Sequence, residues 1–251
     1  MIALPKFQTV GSFRGQLTPA YRFGVSRGTM RLTLTGLGRL VAVETELRVA
    51  LLGEWTAGEA GGKSDAPMLA LGTDIACAVI SGGQPLRSAN YRAATLPGHH
   101  TIAQEGPAGR GGNIGCAEAL SATAALSTWA RVRFEFASSH LARAERIGYE
   151  ANFMLAAQGD ARSQALLHQS LEVWPVVVQN AAIACDPEVV VLGGGGLRSG
   201  EIILPTMARH PRQHMPGLPL QILIVAAVLG DDAALLGGET LFRQIHPLSC
   251  P

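Results

Sequence analysis

The chain has 251 residues, 47% apolar, 16% charged and 5% aromatic, which is enough apolar material for one large domain or two small ones and excludes a disordered chain. Twenty Lys and Arg against nineteen Asp and Glu leave a formal charge of +1, without the basic footprint of a dedicated nucleic-acid binder. Thirty glycines and fourteen prolines are spread along the chain rather than concentrated, which excludes collagen-like and low-complexity readings.

Val41 to Val43 predicts a short strand that runs into a helix, because Leu47, Val49 to Leu52 and Trp55 share a face only at helical spacing. Gly58 to Pro67 is glycine-rich and stopped by proline, so it reads as a linker with a domain boundary near residue 66. Met68 to Ile80 gives two apolar runs broken at Gly72-Thr73-Asp74 and ended by Ser81-Gly82-Gly83, as in adjacent antiparallel strands joined by a tight turn. Pro97 to Gly115 holds six glycines and two prolines and predicts an irregular loop. From Cys116 to about Ala184 the spacing is mostly helical, with breaks at Gly148 and Gly159-Asp160.

The pattern then alternates. Val189 to Leu192 reads as a strand, Gly193 to Gly196 as a turn, and about Gly200 to Arg209 as a helix. Leu220 to Leu229 reads as a strand and Asp231 to Ile245 as a helix. Strand, glycine turn, helix, strand and helix in that order indicate a mixed α/β sheet with helical cover. Apolar runs are interrupted well before the roughly twenty residues of a membrane span. Four cysteines, Cys77, Cys116, Cys185 and Cys250, are widely spaced with no CxxC and no leader, which reads as a reducing cytoplasm.

Five places invite chemistry, each with a plainer reading beside it. Ala57 to Ser64 (AGEAGGKS) loosely fits a phosphate-binding string, but such a loop must leave a strand and open a helix, and this one does the reverse. Gly194, Gly195 and Gly196 follow a strand and precede a helix, where bare backbone can approach a nucleotide or sugar. Arg198 and Ser199 stand where a dinucleotide fingerprint needs glycine. Gly72 and Thr73 supply an amide and a hydroxyl suited to a terminal phosphate, or simply a turn. His99, Cys116 and Glu118 cluster near a glycine loop. Zinc needs four N or S donors, so a loop histidine and a helix-dipole carboxylate are the plainer roles. Thr45 and Glu46, with Glu44, mark a strand-to-helix junction where a carboxylate can act as general base or merely favour the helix start.

Taken in order, VAVETELRVALLGEW, LGTDIACAVISGG, GHHTI with GGNIGCAE, DPEVVVLGGGG and LGDDAALLGGETL resemble segments of the ROK family, the bacterial repressors, open reading frames and sugar kinases. The resemblance implies an actin/hexokinase-like (ribonuclease H-like) α/β fold of two lobes closing over a sugar and ATP with Mg²⁺. Residues 1–66, joined by the helix at 231–245, would form the first lobe, and residues 67–230 the second. It assigns Glu46 as general base. Thr45, His99 and Glu118 go to the sugar, Gly72 and Thr73 to phosphate, and Gly194 to Gly196 to adenosine. A homodimer and a cytoplasmic location are expected, with small-molecule partners only, neither nucleic acid nor membrane.

Departures accompany the matches. Thr45-Glu46 stands for the family's Asn-Asp, Leu96 for a sugar-binding Glu, and Asp74 for a glycine beside the phosphates. Cys116 alone remains of three zinc cysteines, with Gly109 and Gly111 in the other two positions, so the zinc is expected to be lost. Met1 to Pro5 looks like a strand that the family carries midway through its first lobe. The opening Asp-x-Gly-Gly-Thr hairpin is therefore expected to be missing and the first lobe incomplete. The reading is a sugar-kinase-like protein acting on a hexose or N-acylated hexosamine, weak or inactive. A non-catalytic sugar-sensing module and a decayed remnant are the alternatives.

Overall fold

The computed structural model describes residues 24–26, 29–32, 41–42, 44–87, 96–133, 140–144, 147–214 and 222–245; the strand expected at Met1 to Pro5 and Cys250 lie outside them. Three short strands, β1 (Gly24–Ser26), β2 (Thr29–Leu32) and β3 (Val41–Ala42), form an antiparallel sheet. Helix α1 (Glu46–Ala57) follows. A second sheet of five strands contains β4 (Ala66–Leu71), β5 (Ile75–Ser81), β6 (Gln84–Pro85), β7 (Val189–Gly193) and β8 (Leu223–Ala226), in the order β6-β5-β4-β7-β8. β4 is antiparallel to β5 and parallel to β7, and β7 is parallel to β8. The remaining helices are α2 (Ala117–Ser121), α3 (Thr123–Arg133), α4 (Tyr149–Ala157), α5 (Ala161–Cys185), α6 (Gly200–His214) and α7 (Asp232–Ile245).

Side chains alternate across a strand, and here both faces are covered. Leu69, Leu71, Val190 and Leu192 pack with Trp174, Val177 and Val178 of α5 on one face. Met68, Val189 and Val191 pack with Leu51 and Leu52 of α1 on the other. Burial on both faces is why these central strands read as unbroken apolar runs.

The linker expected over Gly58 to Pro67 is a fixed turn. Glu54 O accepts from Gly58 N and Ala60 N at 3.0 and 3.1 Å, and Trp55 Nε1 donates to Lys63 O at 2.8 Å. Ala60 is fully buried in the same cluster as Ala66 and Leu52. Pro67 lies inside β4, opposite Val79, instead of stopping the segment before the strand. The cluster that holds Leu51, Leu52 and Ala60 also holds Ala66 and Met68, on either side of residue 66.

Helix α7 lies against α1 at very short range, through glycine on both helices. A β-carbon at Gly237 would fall within the radius of the Val49 carbonyl oxygen, and one at Gly53 within that of the Ala233 oxygen. Beside this crossing the Glu54 carboxylate, fully buried, accepts from Val228 N and Leu229 N, both at 2.9 Å, and from Glu59 N at 3.1 Å. Three donors satisfy a group whose burial would otherwise be costly. No described helix is long and apolar enough to cross a membrane.

Helix α5 starts at a real cap. The Asp160 carboxylate accepts from Ser163 N at 2.8 Å, and that amide holds its carboxyl below the usual value, with Ser163 Oγ, His140 and Arg162 adding to the effect. Pro175 sits within the helix and removes one backbone donor there. Helix α6 runs to His214, beyond the expected end near Arg209, although Pro205 and Pro211 lie in it.

Two stability outcomes follow from these contacts. Gly237→Ala should cost about 3 kcal/mol by overpacking the helix crossing. Gly238→Ala, next to it but with nothing within 4 Å of the added carbon, should stabilise by about 0.5 to 1 kcal/mol; denaturant melts of the two variants check the contrast. Asp160→Ala should cost about 1 kcal/mol at neutral pH. Because the folded carboxyl titrates lower than the unfolded one, the cap's contribution is full above the unfolded value, about 4. It is lost as pH falls through the lower folded value, so the difference from wild type should shrink in acid melts.

Candidate functional site

Two parallel neighbours, β4 and β7, end side by side, with Ala70 opposite Gly193. Crevices beyond the carboxyl ends of such strands are where α/β sheets take ligands. The turn after β4 carries Gly72 and Thr73, and the turn after β7 carries Gly194 to Gly196. A β-carbon on Gly72 would stand 3.5 Å from Gly195 N, so the two turns adjoin. Gly194 has φ +96°, and its added carbon would lie 2.6 Å from Leu71 O. At Gly196 the carbon would meet Leu71 O at 2.8 Å and the Trp174 ring at 3.1 Å. Side chains here would push the strands apart. Gly195 has open space beside it and is exposed, as is Thr73. Gly72 N donates to Asp74 O at 3.2 Å and Gly72 O accepts from Thr123 N at 3.0 Å, which fixes the first turn. Trp174, fully buried, supports the second turn from below.

Glu118 reaches Gly98, the residue before His99 in the chain. That glycine is tight against Ile75 O, and an added carbon would be 3.2 Å from Glu118 Oε2. His99 ends a 3-10 turn that begins at Pro97, and Glu118 lies in the first turn of α2. Asn113 Nδ2 donates to His99 O at 2.7 Å, and Ala117 N donates to His100 O at 3.0 Å. Leu96, expected to fail as a sugar contact, is exposed.

Zinc can be tested on the same loop. Cys116 Sγ is buried, and His99 Nδ1 is buried with no hydrogen-bond partner. Gly109 abuts the Cys116 sulfur, and a carbon at Gly111 would be 3.3 Å from His99 Nδ1. Two donors face two glycines, which falls short of the four that structural zinc requires, so these residues do not fit the metal. Backbone bonds close the loop instead. Gly109 N donates to Asn113 O at 2.8 Å and Gly115 N to Pro107 O at 2.9 Å, while Ile102 N and Ala103 N both donate to Gly115 O.

At the start of α1, Thr45 and Glu46 are exposed. The buried acid of the trio is Glu44, which pairs with Arg48 and, at 3.1 Å, with Arg87. Sequence reasoning passed over Arg48, although its i,i+4 spacing from Glu44 was visible. Nothing local pointed to Arg87, forty-three residues away in sequence. Asp74 pairs with Arg110 across 3.8 Å with both side chains well exposed, a contact worth little in water. The phosphate-string segment lines a shallow cleft of about 440 Å³ with Trp55 and Thr240, at the opposite end of α1 from Glu46. Lys63 there is paired with Glu188 at 3.5 Å, so its charge is already answered and the cleft stands apart from the glycine turns.

Comparison with known proteins identifies the family. The model of the ROK family matches residues 34–245. Curated relatives include a glucokinase of Halalkalibacterium halodurans, 26% identical over 81% of this chain and 64% of its own. An N-acetylmannosamine kinase of Escherichia coli is 29% identical over 82% of this chain and 67% of its own. The chain thus spans about two thirds of the length of these relatives. A ROK family glucokinase from Streptomyces griseus, solved in complex with glucose and AMPPNP, superposes with a TM-score of 0.69 at 26% identity, covering 83% of this chain and 70% of that one. The fold is accordingly the actin/hexokinase-like one.

A loop closed by backbone bonds should not depend on metal. Exhaustive chelation should leave the melting temperature within about 1 °C of the untreated protein, whereas loss of a structural zinc would unfold the loop; metal analysis of the purified chain gives the matching stoichiometry.

Proposed function

Because the chain belongs to the ROK family, we propose that it is a sugar-kinase-like protein that transfers the γ-phosphoryl group of ATP to a hexose or N-acylated hexosamine, with activity weakened by its altered site residues. The observation that carries this reading is the junction of the Gly72 and Gly194 to Gly196 turns at the ends of β4 and β7. The glucose and AMPPNP bound by the Streptomyces griseus glucokinase support the choice of ligands.

In this reading Glu46 takes the proton of a sugar hydroxyl while that oxygen attacks the γ-phosphorus. The new O–P bond forms as the bond to the β,γ-bridging oxygen breaks, and ADP leaves. His99, Glu118 and Thr45 hold sugar hydroxyls and align the attacking one, and positioning of this kind supplies much of the rate. Thr73 and the Gly72 turn meet the phosphates, and Gly194 to Gly196 receive the adenosine. No group of three metal-binding side chains occurs among the described residues, so magnesium would arrive on the nucleotide and neutralise phosphate charge.

A second reading, a sugar-sensing module without turnover, is favoured by Asp74. Its carboxylate stands in the phosphate turn and is only loosely answered by Arg110. Negative charge there opposes a triphosphate.

A coupled ATPase assay across hexoses and N-acylated hexosamines separates the two. Kinase chemistry predicts sugar-dependent turnover that falls at least about 100-fold in Glu46→Gln. Turnover with none of them, together with calorimetric sugar binding that needs no ATP, would leave the sensor.

A further inference from the structure

Two guanidiniums share one carboxylate where α1 begins. Glu44 meets Arg48 Nη1 through Oε1 and Arg87 Nε through Oε2. The side chains of Glu44 and Arg48 are 7% and 1% exposed, and that of Arg87 is 21% exposed. Among the described residues no second carboxylate pairs with either arginine, so the trio holds a surplus positive charge largely out of water. Glu44 uses only Nη1 of Arg48. The Nε–H and Nη2–H groups, which lie parallel along one edge of the guanidinium, are both buried and both without a partner. Orphaned donors on a buried cation are costly, and this edge is the fork that grips a two-oxygen anion side-on. Arg48 also lies three residues after Thr45 on the same helix, a spacing that makes side chains neighbours. The unfilled fork is therefore within one turn of Thr45, the N-cap of α1 and one of the residues assigned to the sugar.

We propose that the Arg48 fork, backed by Arg87, binds a carboxylate carried by the sugar, so that the acceptor is a sugar acid rather than a neutral hexose. A carboxylate matches the planar edge, and its single negative charge cancels the surplus, whereas a phosphate near two negative charges would overshoot it. This deepens the sugar-binding reading of the previous subsection and rests on it.

Isothermal titration calorimetry of the full chain tests it, with glucose, galactose and mannose beside their uronates and glucose 6-phosphate, on wild type, Arg48→Met and Arg87→Gln. At least one uronate should bind ~10-fold or more tightly than its neutral parent, as expected for a charge-assisted hydrogen-bond pair. Arg48→Met should bring that uronate down to the affinity of the parent. Should Arg48→Met fail to fold, Arg87→Gln, at a partly exposed position, should still shrink the preference about 3-fold. A wild type that binds neutral sugars as tightly as their uronates overturns the inference while leaving the sugar site standing. So does a preference for the uronate that is unchanged in the variants. Tighter binding of glucose 6-phosphate than of any uronate overturns the carboxylate assignment. Failure of every sugar to bind overturns the sugar reading and this inference together.

Discussion

The buried carboxylate of Glu54 is the contact on which the arrangement turns. It accepts from the amides of Val228 and Leu229, just beyond β8, and from Glu59 at the end of its own helix. A carboxylate with three amide donors is a strong, directional joint. Here it ties α1 to the loop that leads into α7, while Gly53 and Gly237 let the two helices approach to backbone distance. The same helix carries Glu44, Thr45 and Glu46 at its other end. Holding the C-terminal half of α1 against the sheet and α7 therefore sets where its N-terminal acids stand.

The second element of the site is made by the sheet itself. β4 and β7 are parallel and buried on both faces, with α1 on one side and α5 on the other. Their turns meet because the strands end in register and because glycine stands where any side chain would strike Leu71. Trp174 closes the underside of the Gly196 turn, and its ring lies tilted by 52° against that of Tyr149 with centroids 4.7 Å apart, while the Tyr149 hydroxyl reaches Ser170 at 2.7 Å. Burial pushes that phenol up, as expected for a core group that stays neutral. The crevice thus has a rigid floor.

Charges of opposite sign stand at the turn after β4 and at the start of α1. Asp74 is an exposed carboxylate in the turn after β4, and Arg48 is a buried guanidinium near the start of α1. The loop bearing His99 and Cys116 places Gly109 against the Cys116 sulfur and Gly111 against His99 Nδ1 and is closed by backbone hydrogen bonds. Charge at a crevice discriminates between ligands of the same outline.

Sequence alone determined the order of the main elements from Val41 onward, though not β1, β2 or β6. Glycine turns, apolar runs and helical spacing are local signals, and the β4–β5 hairpin, the glycine turn after β7 and the helix of α7 all follow from residues close together in the chain. The segments shared with the ROK family were legible for the same reason. Tertiary structure alone decided what crosses the sequence. Gly58 to Pro67, which read as a linker, became a fixed turn leading into β4 because Glu54, Trp55 and Glu188 take up its backbone groups. Likewise Glu44 became the buried acid, and Glu46 the exposed one, because Arg87 arrives from beyond β6. Long-range pairings of charge and burial leave no periodic trace in a chain, since the partners are brought together only when the sheet and helices pack.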